Sequence, residues 1–133
     1  MSKLTTGPFV IPPLIDTGLT PDNMLITLVN PTAKPKTVTV FLTRSPQAVF
    51  PATAAIVTTL TQQVTLQPNQ STLVRAQLGV HYQIRDTVRV TIANDIDEEG
   101  EKIEATVVVG DGGRTVATTF FRHDDFVETD NLV

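Results

Sequence analysis

Cysteine and tryptophan are absent from the 133 residues, and there is a single tyrosine. Without cysteine the chain can form no disulfide, no thiol nucleophile and no cysteine-ligated metal site. Charged residues make up 18% of the chain and the formal net charge is −4, whereas about a quarter of an average soluble domain is charged. An acidic balance with few aromatics and no basic stripe argues against a nucleic-acid partner.

Long apolar runs are also missing. No stretch approaches the roughly 18 apolar residues that a membrane span needs. The apolar stretch Phe9–Ile15 is split by Pro12 and Pro13 and therefore lacks the uninterrupted core of a secretory signal. We expect synthesis in the cytoplasm without a signal peptide, no membrane partner, and a final position on the outside of an extracellular assembly.

What the chain has in excess is β-branched residues, with 22 threonines and 17 valines but only three serines. Such residues favour sheet. Apolar and polar residues alternate cleanly in 36–44 and 87–94, which is typical of half-buried strands. Turn signals separate the predicted strands, which are 24–30, 36–44, 54–61, 63–67, 71–78, 87–94, 102–109 and 114–122.

Roughly seven to nine short strands without an amphipathic helix predict an all-β fold, an antiparallel β-sandwich of immunoglobulin-like or jelly-roll type. We predict an extended N-terminal arm (residues 1–18), the sandwich itself (19–127) and a short C-terminal tail (128–133).

The densest cluster of oxygen ligands lies in 94–101, where Asp95, Asp97 and Glu99 have the spacing of the first half of a calcium loop. The position that should supply a bidentate glutamate is Thr106. A solvated hairpin tip explains the acidic run equally simply. These three residues are a weak calcium candidate, and we predict no cofactor.

Other arrangements with possible chemistry lack partners. His123-Asp124-Asp125 has no convergent ligand set, since the other histidine is His81. Ser71 lies in no Gly-x-Ser-x-Gly elbow. Gly110–Gly113 is followed by a predicted strand, so it indicates a hairpin turn and not a phosphate cradle. We therefore predict that the protein is not an enzyme.

The N-terminal arm is the most informative feature. Its large apolar side chains are costly to leave in water, at about 1.5–3 kcal/mol each, and its prolines cannot donate to a central strand ladder. It can cover its own sandwich, or dock on a neighbouring copy by strand addition or groove filling. The predicted docking residues are Phe9, Val10, Ile11, Pro12, Pro13, Leu14 and Ile15. The predicted hinge is Asp16, Thr17 and Gly18.

Two parts of the sequence carry a resemblance to a known family. The arm Gly7–Pro13 is similar to the Gly-Pro…Pro-Pro leader of exosporium proteins, and the phrases Leu28–Val40 and Val64–Val74 resemble the body of related domains. The chain thus resembles Bacillus-type spore-surface proteins, in particular endospore appendage (spore pilus) subunits. The resemblance implies a β-sandwich whose N-terminal connector inserts into adjacent subunits. Many appendage subunits cross-link through cysteines, so a fibre of this chain would rest on non-covalent contacts.

We therefore predict a structural, self-assembling subunit of a surface fibre, with other copies of itself as partners and a spore-coat or exosporium protein as a possible anchor. Because an arm-to-groove contact is head-to-tail, it can propagate into a filament. Two alternatives stay open. One is a virion structural protein, such as a phage decoration or fibre subunit. The other is a monomeric immunoglobulin-like binding module whose arm packs on its own core.

Overall fold

The computed structural model describes residues 3–11, 22–46, 55–93, 103–110, 119–121 and 126–129. Within these ranges all regular structure is β-strand, and every ladder is antiparallel. The predicted all-β, antiparallel β-sandwich is confirmed. Its strands are β1 (Lys3–Thr5), β2 (Phe9–Val10), β3 (Asn23–Asn30), β4 (Lys36–Ser45), β5 (Val57–Leu66), β6 (Gln70–Gln77), β7 (Thr87–Ala93), β8 (Glu104–Gly110), β9 (Thr119–Phe121) and β10 (Val127–Thr129).

The strands form two sheets. One has the order β10-β1-β7-β4-β5, and β2 pairs with β7 beyond the end of β1. The other has the order β6-β3-β8-β9. Among the described strands, the outermost are therefore β10 and β5 in the first sheet and β6 and β9 in the second.

The core lies between the sheets and follows from the alternation in the sequence. In β3 and β4 every second residue is buried, because successive side chains of a strand point to opposite faces. The fully buried side chains of β3, β4 and β7 include Met24, Ile26, Leu28, Val38, Val40, Leu42, Val90 and Ile92.

The edge strand β5 is unusual in its composition. It is one continuous strand, although its sequence also allowed two, and its ladder with β4 has a register shift at Leu42/Thr43. Its ten residues include no charge and no proline. Natural edge strands usually carry such residues to prevent pairing with other chains.

One end of the sandwich is held together by Asn30, whose side chain is fully buried. Its Nδ2 donates to the carbonyls of Lys34 (2.8 Å) and Leu66 (3.0 Å), and its Oδ1 accepts from the Thr32 main-chain N–H (3.0 Å). Its own carbonyl accepts from the N–H of Asn69 (2.8 Å). The β3–β4 and β5–β6 turns are therefore joined at this end, called here the Asn30 pole.

The opposite end, called here the Asp86 pole, is where β4 and β6 end and β5 and β7 begin. Its main described element is the loop Leu78–Asp86 between β6 and β7. Leu78 pairs with Tyr82 in an isolated bridge, and Tyr82 is buried. Gly79 adopts a positive φ of 85°, a conformation that favours glycine.

Candidate functional site

Residues 3–11, called here the N-terminal segment, lie along β7 of the same chain. In β1, Leu4 is opposite Ile92 and Thr5 is opposite Thr91. In β2, Phe9 is opposite Val88 and Val10 is opposite Thr87. For these residues the structure shows a segment that pairs with its own sandwich, with Lys3–Thr5 and Phe9–Val10 as strands. It corresponds to the alternative in which the arm packs on its own core.

The two short strands are separated by Thr6-Gly7-Pro8. The main-chain N–H of Thr6 donates to the carbonyl of Val90 (3.1 Å), and the N–H of Val90 donates to the Thr6 hydroxyl (3.2 Å). Gly7 has a φ of 72°, which a residue with a Cβ rarely adopts. Pro8, which has no N–H, falls in this interruption, where no ladder bond is required of it.

Ile11 anchors the far end of the N-terminal segment. Its side chain is 0% exposed, whereas the side chain of Val10 is 59% exposed. Its N–H donates to the carbonyl of Asp86 (2.9 Å), and its carbonyl accepts from the N–H of Arg85 (2.8 Å). Ile11 thus contributes both apolar burial and two main-chain hydrogen bonds to the docking.

The N-terminal segment also joins β10 to the rest of the sheet. Lys3, Leu4 and Thr5 are opposite Thr129, Glu128 and Val127. In the described part of the chain β1 is the only strand that pairs with β10. Residues predicted as the start of the C-terminal tail are therefore a sheet strand, and its place depends on β1.

Asp86, whose main-chain carbonyl accepts from the Ile11 N–H, also forms an ion pair through its side chain. The carboxylate of Asp86, 2% exposed, accepts from Arg44 Nε (2.6 Å) and Nη2 (3.2 Å). It also accepts from the main-chain N–H of Gln83 (2.8 Å). The charge and the acceptor positions of this buried carboxylate are thereby satisfied. The carbonyl that accepts from the Ile11 N–H therefore belongs to a residue whose side chain is bonded to Arg44 and Gln83.

Burial raises the pKa of the Tyr82 phenol, and the nearby carboxylate of Asp22 raises it further. Tyr82 lies in the loop that receives Ile11, and Asp22 precedes β3. The carbonyl of Asp22 accepts from the N–H of Leu78 (3.0 Å) in that loop. The two residues that flank residues 12–21, called here the connector, are therefore both bonded to the same loop.

The predicted site residues fall in two groups. The structure places Phe9 and Val10 in β2 and Ile11 against the Leu78–Asp86 loop. The others lie outside the described residues, and these are Pro12, Pro13, Leu14, Ile15, Asp16, Thr17, Gly18 and the calcium candidates Asp95, Asp97 and Glu99. Within the described ranges no group of three or more His, Cys, Asp or Glu side chains could hold a metal ion.

The residues weighed for catalysis are not brought together where they are described. His81 Nδ1 accepts from the main-chain N–H of Gln77 (3.0 Å), at the end of β6 opposite to Ser71. His123, Asp124 and Asp125 lie outside the described residues. The described chain holds no helix with the length and apolarity to cross a membrane.

Sequence reasoning missed Arg44 and Asp86, the residues that hold the docking position of Ile11. They lie 42 positions apart, and each is an unremarkable charged residue beside a strand end. A weak signal was available, because Asp86 immediately precedes the alternating strand β7. That signal does not identify its partner.

Comparison with known proteins gives a structural likeness but no family. No protein-family model matches the chain, and no curated protein matches it. The crystal structure of Thermotoga maritima 1070 is similar at 12% identity with a TM-score of 0.43, covering 96% of this chain and 89% of that one.

Proposed function

We propose that the protein is a structural subunit that associates with other copies of itself by exchanging its N-terminal segment. In the exchanged state the segment of one copy lies along β7 of another, with the contacts that it makes within one chain here. The assembly is a surface fibre or appendage. The sequence resemblance to spore-surface proteins supports the spore as its location and a spore-coat or exosporium protein as its anchor.

The observation that carries the proposal is that the N-terminal segment is held by two short ladders along β7 and by two main-chain hydrogen bonds at Ile11. It also pairs with β10, and its side chains Leu4 and Ile11 belong to the core. Because the same contacts are available from a second copy, exchange conserves them while joining two subunits.

Composition gives further support. A chain with 18% charged residues has less electrostatic repulsion between copies than an ordinary soluble domain. The charge-free edge of β5 offers a second surface without such repulsion.

A competition experiment tests the proposal on the full chain. Purified protein is concentrated and followed by light scattering and negative-stain electron microscopy, with and without an excess peptide of residues 2–18. We expect assembly, and its loss on adding the peptide, because the peptide occupies the groove along β7. The matched control peptide carries Ile11→Asp and should leave assembly intact.

One second candidate is favoured by a specific observation. Residues 3–11 are docked on their own sheet, as a monomeric binding module requires. This module predicts a monomer at every concentration and no effect of the peptide on particle size, which would remove the exchange proposal.

A further inference from the structure

The exposed large apolar side chains are concentrated at the Asp86 pole. Those identified in the described residues are Val10, Ile56, Val57, Val80, Ile84 and Leu73. All but Leu73 lie at this pole. Leu73 is in the middle of β6, opposite Thr27.

The register of the strands shows that these residues share one end. Val10 is opposite Thr87, the first residue of β7, and Ser45 at the end of β4 is opposite Thr87 on its other side. Val57 is opposite Arg44 at the start of β5. The hydroxyl of Thr59 donates to the carbonyl of His81 (2.6 Å), which brings the Leu78–Asp86 loop with Val80 and Ile84 against the start of β5.

The surface at this pole is also concave. A cleft of about 310 Å³ opens beside Pro8 and is lined by Ile56, Val88 and the side chains of Arg44 and Arg89. Val80 is 67% exposed and Ile56 is 66% exposed. Exposed apolar side chains gathered at one end of a domain mark an interaction site more often than scattered single residues do.

The length of the connector limits how far apart two exchanging copies can be. It leaves Ile11, which is bonded to Arg85 and Asp86, and it enters the body at Asp22, which is bonded to Leu78. Both ends are therefore at the Asp86 pole. Eleven residue steps span at most about 40 Å. If the segment of one copy docks on another, the two Asp86 poles must lie within about that distance of each other.

We propose that the apolar Asp86 pole is the contact surface for a second copy of this chain, with the two poles facing each other in a two-fold pair. This inference rests on the proposed exchange and specifies its geometry. Because the same patch serves both copies, reciprocal exchange closes the pair. A fibre built from such pairs needs another contact elsewhere.

Spin-label distances in the assembled full-length protein test the geometry. The chain has no cysteine, so Val80→Cys and Leu73→Cys each introduce a single attachment site. We expect a distance below about 40 Å between labels at position 80. Leu73 lies four residues inside the strand end at Gln77. At about 3.3 Å per residue in each of the two copies, labels at position 73 should be roughly 25 Å further apart than labels at position 80.

The charge variants Val80→Asp and Leu73→Asp give a second measurement. Both side chains are exposed, so both variants should keep the melting temperature of the unmodified protein within a few degrees. We expect at least a tenfold weaker self-association for Val80→Asp in sedimentation experiments, and little change for Leu73→Asp.

The outcomes separate the two proposals. Assembly with labels at position 73 closer than those at position 80, or equal effects of the two charge variants, would overturn the pole-to-pole pair while leaving strand exchange standing. A protein that stays monomeric at all concentrations removes both.

Discussion

The main-chain N–H of Ile11 donates to the carbonyl of Asp86 at 2.9 Å, and this contact ends the docking of the N-terminal segment. The carboxylate of the same aspartate is held by the guanidinium of Arg44 and by the N–H of Gln83. The apolar anchor and the buried ion pair are thus two parts of one attachment. The stability of each is expected to depend on the other.

Ile11 and Val10 provide a matched test of docking, since they are adjacent and differ in exposure, at 0% and 59%. We expect Ile11→Ala to lower the free energy of unfolding by about 2–4 kcal/mol, because it removes buried side-chain volume. Val10→Ala should change it by less than about 0.5 kcal/mol. Urea denaturation measures both, and equal effects would show that the segment is not docked in solution.

The Arg44–Asp86 pair is expected to behave as a coupled unit. Asp86→Ala should cost about 3–5 kcal/mol, because it leaves a partly buried guanidinium unpaired. The double variant Arg44→Met/Asp86→Ala should be less destabilised than the sum of the single changes. Thermal or chemical unfolding of the four proteins in the cycle gives the coupling, and strict additivity would contradict it.

The raised pKa of Tyr82 predicts how the stability of the protein changes at alkaline pH. Its pKa is raised above the ordinary value of about 10, so above that pH the unfolded chain loses the phenol proton while the native protein keeps it. Stability should therefore be unaffected by this group below about pH 10 and should fall as the pH rises further. With one tyrosine and no tryptophan, absorbance at 295 nm reports Tyr82 directly.

The control for this titration is Tyr82→Phe, which keeps the ring and removes the ionisation. This variant should lose the part of the alkaline destabilisation that comes from the phenol. An absorbance midpoint near pH 10 in the native protein would contradict the raised pKa.

Asn30→Asp tests the opposite pole with little change of shape. The substitution replaces a donating amide with an oxygen that faces the carbonyls of Lys34 and Leu66, so we expect a loss of about 2–4 kcal/mol. Asn69→Gly is the control, because Asn69 has a φ of 60° that glycine adopts without penalty. Comparable losses in the two variants would argue against the bonding role of Asn30.

The sequence predicted the central strands because their alternation of buried and exposed residues follows from neighbouring positions. Val38, Val40 and Leu42 alternate with polar residues, and each faces the core as expected. The sequence left the place of Phe9–Ile11 open between their own sandwich and a neighbouring copy, because a local pattern does not identify the strand that receives them. In the structure Pro8 falls in the interruption between two short ladders, where its missing N–H has no consequence.

The candidate site was less accessible from sequence for a different reason. Its electrostatic part joins Arg44 to Asp86 across 42 positions, and no local period links them. The edge position of β5 depends on strand order, which short-range patterns do not determine. The apolar character of the segment was visible, but the strand that receives it was not.

The break at Gly7 has a kinetic consequence. A strand held by one continuous ladder must lose all its bonds together, whereas β1 and β2 can open one after the other. Partial opening then costs one short ladder at a time, as in local unfolding of small cooperative units. In the proposed exchange, a newly made chain closes on itself at once, and its segment must open before it can pair with another copy.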